Sequence, residues 1–113
     1  MHELSVVESI VDISLKHAER NGAKRIVKIN LVLGELTGIV DQCVTFYWDM
    51  LAKDTIAADA EIVFRKVPVV ARCTGCGKEF TPEELDLTCP SCGSVKAELV
   101  HGREFQVESI EIE

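Results

Sequence analysis

Four of the five cysteines fall into two Cys-x-x-Cys pairs, Cys73/Cys76 and Cys89/Cys92, with twelve residues between the pairs. Four soft thiolates at this spacing suit one tetrahedral divalent cation, and zinc is the ion such a set ordinarily holds. Gly75 lies within the first pair and Gly77 just after it, and Pro90 and Gly93 stand in the same way to the second. Each pair therefore reads as a tight knuckle, its sulfurs turned inward while backbone N–H groups approach them. Between the knuckles, Thr81-Pro82-Glu83-Glu84 offers an N-cap, a proline at the first helical position and an acidic first turn, which predicts one short helical turn. Four cysteines close the coordination sphere, whereas a hydrolytic zinc keeps a position for water, so the pattern points to a structural centre. Two alternatives stand on the residues alone: a pair of disulfides, or redox dithiols. Paired thiols beside an unpaired Cys43 agree better with a reducing compartment, and a thioredoxin-like site needs one such motif on a βαβ pattern.

The second chemically loaded stretch is Met1-His2-Glu3. A methionine before a bulky histidine is expected to stay in place, leaving a free amine at Met1 next to the His2 imidazole. Together with the backbone nitrogens of His2 and Glu3, these make a plane of four nitrogens, which suits Ni(II) or Cu(II) better than Zn(II). A histidine at the second position is also, quite ordinarily, a solvated terminal residue.

The elements that must position these groups follow from periodicity. From Leu4 to Arg20, apolar residues at Leu4, Val7, Ile10, Val11 and Leu15 predict an amphipathic helix, stopped at Asn21-Gly22. Lys24 to Leu33 reads as a strand with Val27, Ile29, Leu31 and Leu33 on one face and Arg25, Ile26 and Asn30 on the other. Gly34 and Gly38 punctuate the next segment. Asp41 is expected to cap a second helix from Gln42 to about Lys53, with Val44, Tyr47, Trp48 and Leu51 inward and Phe46 also in the core. Ala60 to Val67 alternates again before Pro68 breaks it. Arg103 to Glu113 predicts a last strand in which a bulge near Glu108-Ser109 keeps Phe105, Val107, Ile110 and Ile112 on one face. The expected fold class is α+β: two helices packed on a three-stranded sheet, with an inserted four-cysteine zinc-knuckle module. The domains divide as residues 1–67 with 103–113, and residues 68–102, with Gly102 as a hinge.

Composition limits the function classes. The chain of 113 residues is 47% hydrophobic, enough for a core, and contains no run approaching a membrane span. A soluble, cytoplasmic protein without a membrane partner is expected. The formal charge of −7 becomes two units more negative if four thiolates bind one dication, which repels phosphate backbones and argues against nucleic acid. No carboxylate pair or phosphate-binding loop supports an enzyme.

Met1-His2-Glu3-Leu4-Ser5, Leu33-Gly34-Glu35-Leu36, the aromatics from Phe46 to Trp48 and the doubled Cys-x-x-Cys at this spacing resemble the HypA/HybF family of NiFe-hydrogenase maturation factors over the whole chain. The resemblance implies a nickel metallochaperone that delivers Ni(2+) to the hydrogenase large subunit together with the GTPase HypB. Urease maturation proteins are a further candidate partner. It also implies that His2, with Met1 and Glu3, holds nickel, and that Cys73, Cys76, Cys89 and Cys92 hold a structural Zn(2+).

Three other residues invite a metal reading and have plainer ones. His17 near the end of the first helix suits the carbonyl-rich terminus. Cys43 reads as a small core or half-buried residue. His101, beside Gly102, is placed to swing toward the nickel terminus if the module moves. Against metal delivery stand two other classes, a zinc-ribbon protein-interaction adaptor in which His2 is incidental, and a metalloenzyme using the terminal site.

Overall fold

The computed structural model describes residues 3–84 and 86–113. In chain order it contains α1 (Glu3–Arg20), β1 (Ile26–Gly34), a 3-10 turn (Glu35–Thr37), α2 (Asp41–Leu51), β2 (Glu61–Val67), β3 (Val70–Cys73), β4 (Glu79–Phe80), β5 (Ala97–His101) and β6 (Phe105–Ile112). In α1, Val7, Ile10, Val11, Ser14 and Ala18 form the buried stripe, the three-and-four spacing of an amphipathic helix. Leu4, expected on that stripe, is exposed. The helix stops where glycine permits it. Gly22 sits at φ +65°, its N–H donates to the Glu19 carbonyl at 3.1 Å, and the Ala23 N–H reaches back to Ala18 at 3.0 Å, the two bonds of a Schellman end.

The first sheet has the order β2-β1-β6, with β2 parallel to β1 and β6 antiparallel to it. A parallel pair needs a long crossover, and the 3-10 turn and α2 provide it. Two corrections concern β1. Ile26, placed on the polar face, is wholly buried, and Val27, placed inward, is exposed. The cause is a bulge: Ile26 pairs with Ile112 while Lys28 pairs with Glu111, so Val27 is an extra residue that reverses the parity. The bulge expected in the last strand is present, since Asn30 faces Ser109 and Leu31 faces Val107, leaving Glu108 over. Phe105, Val107 and Ile110 thereby stay against the core; Ile112, at the strand end, is exposed.

In α2, Val44 and Trp48 are buried, and the Trp48 indole N–H donates to the Ala57 carbonyl at 3.1 Å. Asp41 is the first helical residue and not the cap: Val40 holds the cap position without a side-chain bond, and the Gln42 N–H donates to Asp41 Oδ1 at 2.9 Å. Phe46 is not core. It lies 66% exposed, across the wheel from Val44 and Trp48, with an edge-on contact to Tyr47 at 5.5 Å between ring centroids.

A second, antiparallel sheet of order β4-β3-β5 goes beyond the expected knuckles. Its signal was the alternation from Val69 to Cys73, where Val69, Ala71 and Cys73 are buried. The helical turn expected at Thr81–Glu84 is absent. The Asp86 N–H closes a turn onto the Glu83 carbonyl at 2.8 Å and Glu84 sits at φ +50°, a left-handed residue that cannot continue a right-handed helix.

The two sheets meet at a hydrogen-bonded joint in a molecule 55 Å long and 24 × 17 Å across. The Gly34 N–H donates to the Glu104 carbonyl and the Leu36 N–H to the Gly102 carbonyl, both at 2.7 Å. The Glu104 carboxylate accepts the Gly102 N–H at 2.6 Å and meets His101 Nδ1 at 2.9 Å. Its pKa is lowered first by the Gly102 N–H, then by its own N–H and by His101. Gly34 has an ordinary φ of −76°, so its need is for space: a Cβ there would lie 2.2 Å from the Gly102 oxygen and 2.7 Å from the Glu104 nitrogen. Gly34→Ala must displace backbone. We expect a loss of roughly 1–3 kcal/mol, as for an overpacked core, read from the denaturant midpoint, and new amide shifts at Gly102 to Glu104.

Candidate metal centre

The two knuckles share one hydrogen-bond pattern. The Cys73 N–H donates to the Lys78 carbonyl at 2.9 Å and the Gly77 N–H returns to Cys73 at 2.9 Å; likewise the Cys89 N–H donates to Ser94 at 2.8 Å and the Gly93 N–H to Cys89 at 3.0 Å. Gly77 at φ +77° and Gly93 at φ +75° close the loops, and nothing stands within 4 Å of either missing Cβ. Their glycine requirement is therefore conformational, unlike that of Gly34. The first knuckle leaves β3, where Cys73 is the last residue, and Thr74 ties it to the start of β5 through its N–H and Oγ, each 2.9 Å from the carbonyl of Lys96, the residue before that strand.

This scaffold gathers four sulfurs within 4.8 Å of one another. Cys73 Sγ and Cys92 Sγ are 3.5 Å apart, and Cys76 Sγ and Cys89 Sγ 3.7 Å. A tetrahedral thiolate zinc with bonds of about 2.3 Å requires sulfur separations of about 3.8 Å. The set fits. All five cysteines are free of disulfides, so the oxidised reading has no support. The first cysteine of each knuckle is buried and the second exposed, which puts the centre at the edge of the module with no fifth donor group among the described residues.

The thiols differ in how readily they ionise. Backbone N–H groups of Cys76, and then of Gly75, pull Cys73 down to about 6. Cys89 is lowered in the same way by Cys92 and Ser91. The Ser94 N–H lowers Cys92 too, but the sulfurs of Cys73 and Cys89 and burial push it up to about 11. Four sulfurs this close cannot all ionise without a cation, and a bound dication reverses the penalty.

The other candidates fall elsewhere. Met1 and His2 lie outside the described residues; Glu3 opens α1 and is half-buried. His17 is exposed in the last turn of α1, and Cys43 is half-buried on α2. His101 ends β5 and belongs to the Glu104 joint. No helix among the described residues is long and apolar enough to cross a membrane.

Fold and site together define a small metal-binding protein, an α+β body with a four-cysteine centre on an attached sheet. The family described as "Hydrogenase/urease nickel incorporation, metallochaperone, hypA" matches residues 1–112, and the chain belongs to this HypA family. It is similar to the hydrogenase maturation factor HypA of Caldanaerobacter subterraneus subsp. tengcongensis, 43% identical over the full length of both chains. It is also similar to that of Dehalococcoides mccartyi, at 40% over all of this chain and 95% of the relative. The solution structure of the Ni metallochaperone HypA from Helicobacter pylori superposes with a TM-score of 0.70 at 26% identity, covering 99% of this chain and 97% of that one. The family is one of maturation factors and not of enzymes.

Because the four thiols must be deprotonated to ligate, binding at pH 7 should release at least the Cys92 proton, and affinity should fall as acidification takes Cys73 through about 6. A weakly buffered zinc titration checks the first, and a pH series of Co(II) thiolate absorption the second. Gly93→Ala should weaken the knuckle by about 1–2 kcal/mol, read as lower chelator resistance. Gly93→Asn, which tolerates the left-handed region, should retain most of it.

Proposed function

We propose that this chain is a nickel metallochaperone that binds Ni(II) through Met1, His2 and Glu3, carries a structural zinc on Cys73, Cys76, Cys89 and Cys92, and helps insert nickel into the hydrogenase large subunit. In this reading it works in the cytoplasm with the GTPase HypB, without a membrane or nucleic-acid partner. Its nickel-binding part comprises residues 1–67 and 103–113, and its zinc part residues 68–102. The observation that carries the reading is the family match over residues 1–112.

The helix start suits the chemistry. The first four N–H groups of a helix have no intrahelical acceptor, so a metal can take the Glu3 amide nitrogen, at the head of α1, without breaking a turn. Two deprotonated amides also neutralise a dication, which removes the repulsion a cation would otherwise meet at the positive end of α1. The two metals then sort by donor: planar nitrogen for nickel, tetrahedral sulfur for zinc. A zinc-ribbon adaptor accounts for the four cysteines equally well and gives the terminus no task.

Zinc-loaded protein with a free Met1 amine should bind one equivalent of Ni(II). One residue added before Met1, or His2→Ala, should abolish that binding while zinc content and far-UV dichroism stay unchanged. Affinity should fall as pH drops below about 7, since an amine of pKa roughly 8 and an imidazole near 6.5 must both lose protons. Stoichiometric nickel binding that survives the extension would refute the terminal site; no nickel binding in either form would favour the adaptor.

A further inference from the structure

Between α1 and β6 runs a groove of about 300 Å³, lined by Ile13, Ser14 and His17 on the helix and by the stretch Val107 to Ile110, Ser109 included, on the strand. Three observations converge on it. First, β6 is an edge: it bonds to β1 alone in a sheet of order β2-β1-β6, so alternate residues turn their N–H and C=O groups away from the sheet. Second, Ser14 is fully buried, yet its hydroxyl has no hydrogen-bond partner among the described residues, which is unfavourable for a polar group. Third, Ile13 at the groove rim is 46% exposed and faces half-buried Val107 and Ile110, an apolar slot that the core leaves open.

We propose that this groove receives an extended segment of a partner protein as a fourth strand of the first sheet. Side chains alternate along a strand, so every second residue of the incoming segment faces the groove and should be apolar. The intervening residues lie beside Gln106, Glu108 and Glu111 of β6, which are exposed. Glu108 is partly spoken for by Arg65 at 2.6 Å and Glu111 by Lys28 at 3.8 Å, but the strand carries no basic residue of its own, so Lys or Arg is favoured there. The same charges count against a second copy as occupant, because antiparallel pairing of two β6 strands brings Glu108 and Glu111 of both copies together. The partner is thus a different chain with alternating apolar and basic residues, and the inference stands apart from the metal assignments.

The test is a titration of isotope-labelled full-length protein with an end-blocked octapeptide alternating valine and lysine, against its valine–glutamate counterpart. The lysine peptide should shift amides from Ile13 to His17 and from Val107 to Glu111, and slow exchange of the outward β6 amides. Ile13→Lys, a rim change that should leave the unfolding midpoint in place, should weaken binding at least tenfold. Absence of shifts, equal binding of the glutamate peptide, or undiminished binding to Ile13→Lys would each overturn the proposal. So would shifts at the β2 edge in place of β6, or β6 shifts that follow protein concentration without peptide, the mark of self-pairing.

Discussion

Four sulfurs confined within 4.8 Å are the constraint on which the outer half of the molecule depends. Ionised together they repel, and one tetrahedral dication reverses that repulsion. Among the described residues of the second sheet and its loops, Val69, Ala71, Cys73 and Cys89 are the buried hydrophobic ones. That is too small a core to specify three strands, so coordination takes the place of hydrophobic burial there. The matched bonds of the two knuckles make sense in this light: each presents one buried and one exposed sulfur, and the two pairs close on each other.

The inner half has the opposite economy. Its helices and sheet enclose Ile26, Ile29, Leu31, Val44 and Trp48, so it can fold on apolar burial. What joins the halves is backbone. At Gly34 the return strand comes so close that a single methyl group would collide with Gly102, and the Glu104 carboxylate ties Gly102 and His101 together. The position of the sulfur centre relative to α1 is therefore set by this contact.

Much of the fold was legible because periodicity and glycine report directly on backbone needs. The stop of α1 at Gly22, the inward Val44 and Trp48, and the bulge at Glu108 all follow from spacing. Other features were not legible, for physical reasons. The Val27 bulge reverses one end of a strand whose alternation suggests the other face, and nothing local distinguishes the two. Phe46 is exposed because position on the helix outweighs residue type. Thr81–Glu84 carries helix-start residues, yet Glu84 takes a left-handed conformation that a helix cannot continue through. The clustering of the four cysteines was readable from their spacing, whereas the bond between Gly34 and Glu104 joins residues too distant in sequence to leave a local mark.

The central claim is that nickel and zinc occupy chemically distinct sites in one chain. X-ray absorption at both metal edges, on native-terminus protein loaded with one equivalent of each, addresses it most directly. Zinc should show four sulfur neighbours at about 2.3 Å, and nickel a planar shell of nitrogen alone. Sulfur in the nickel shell, or nitrogen in the zinc shell, would contradict it.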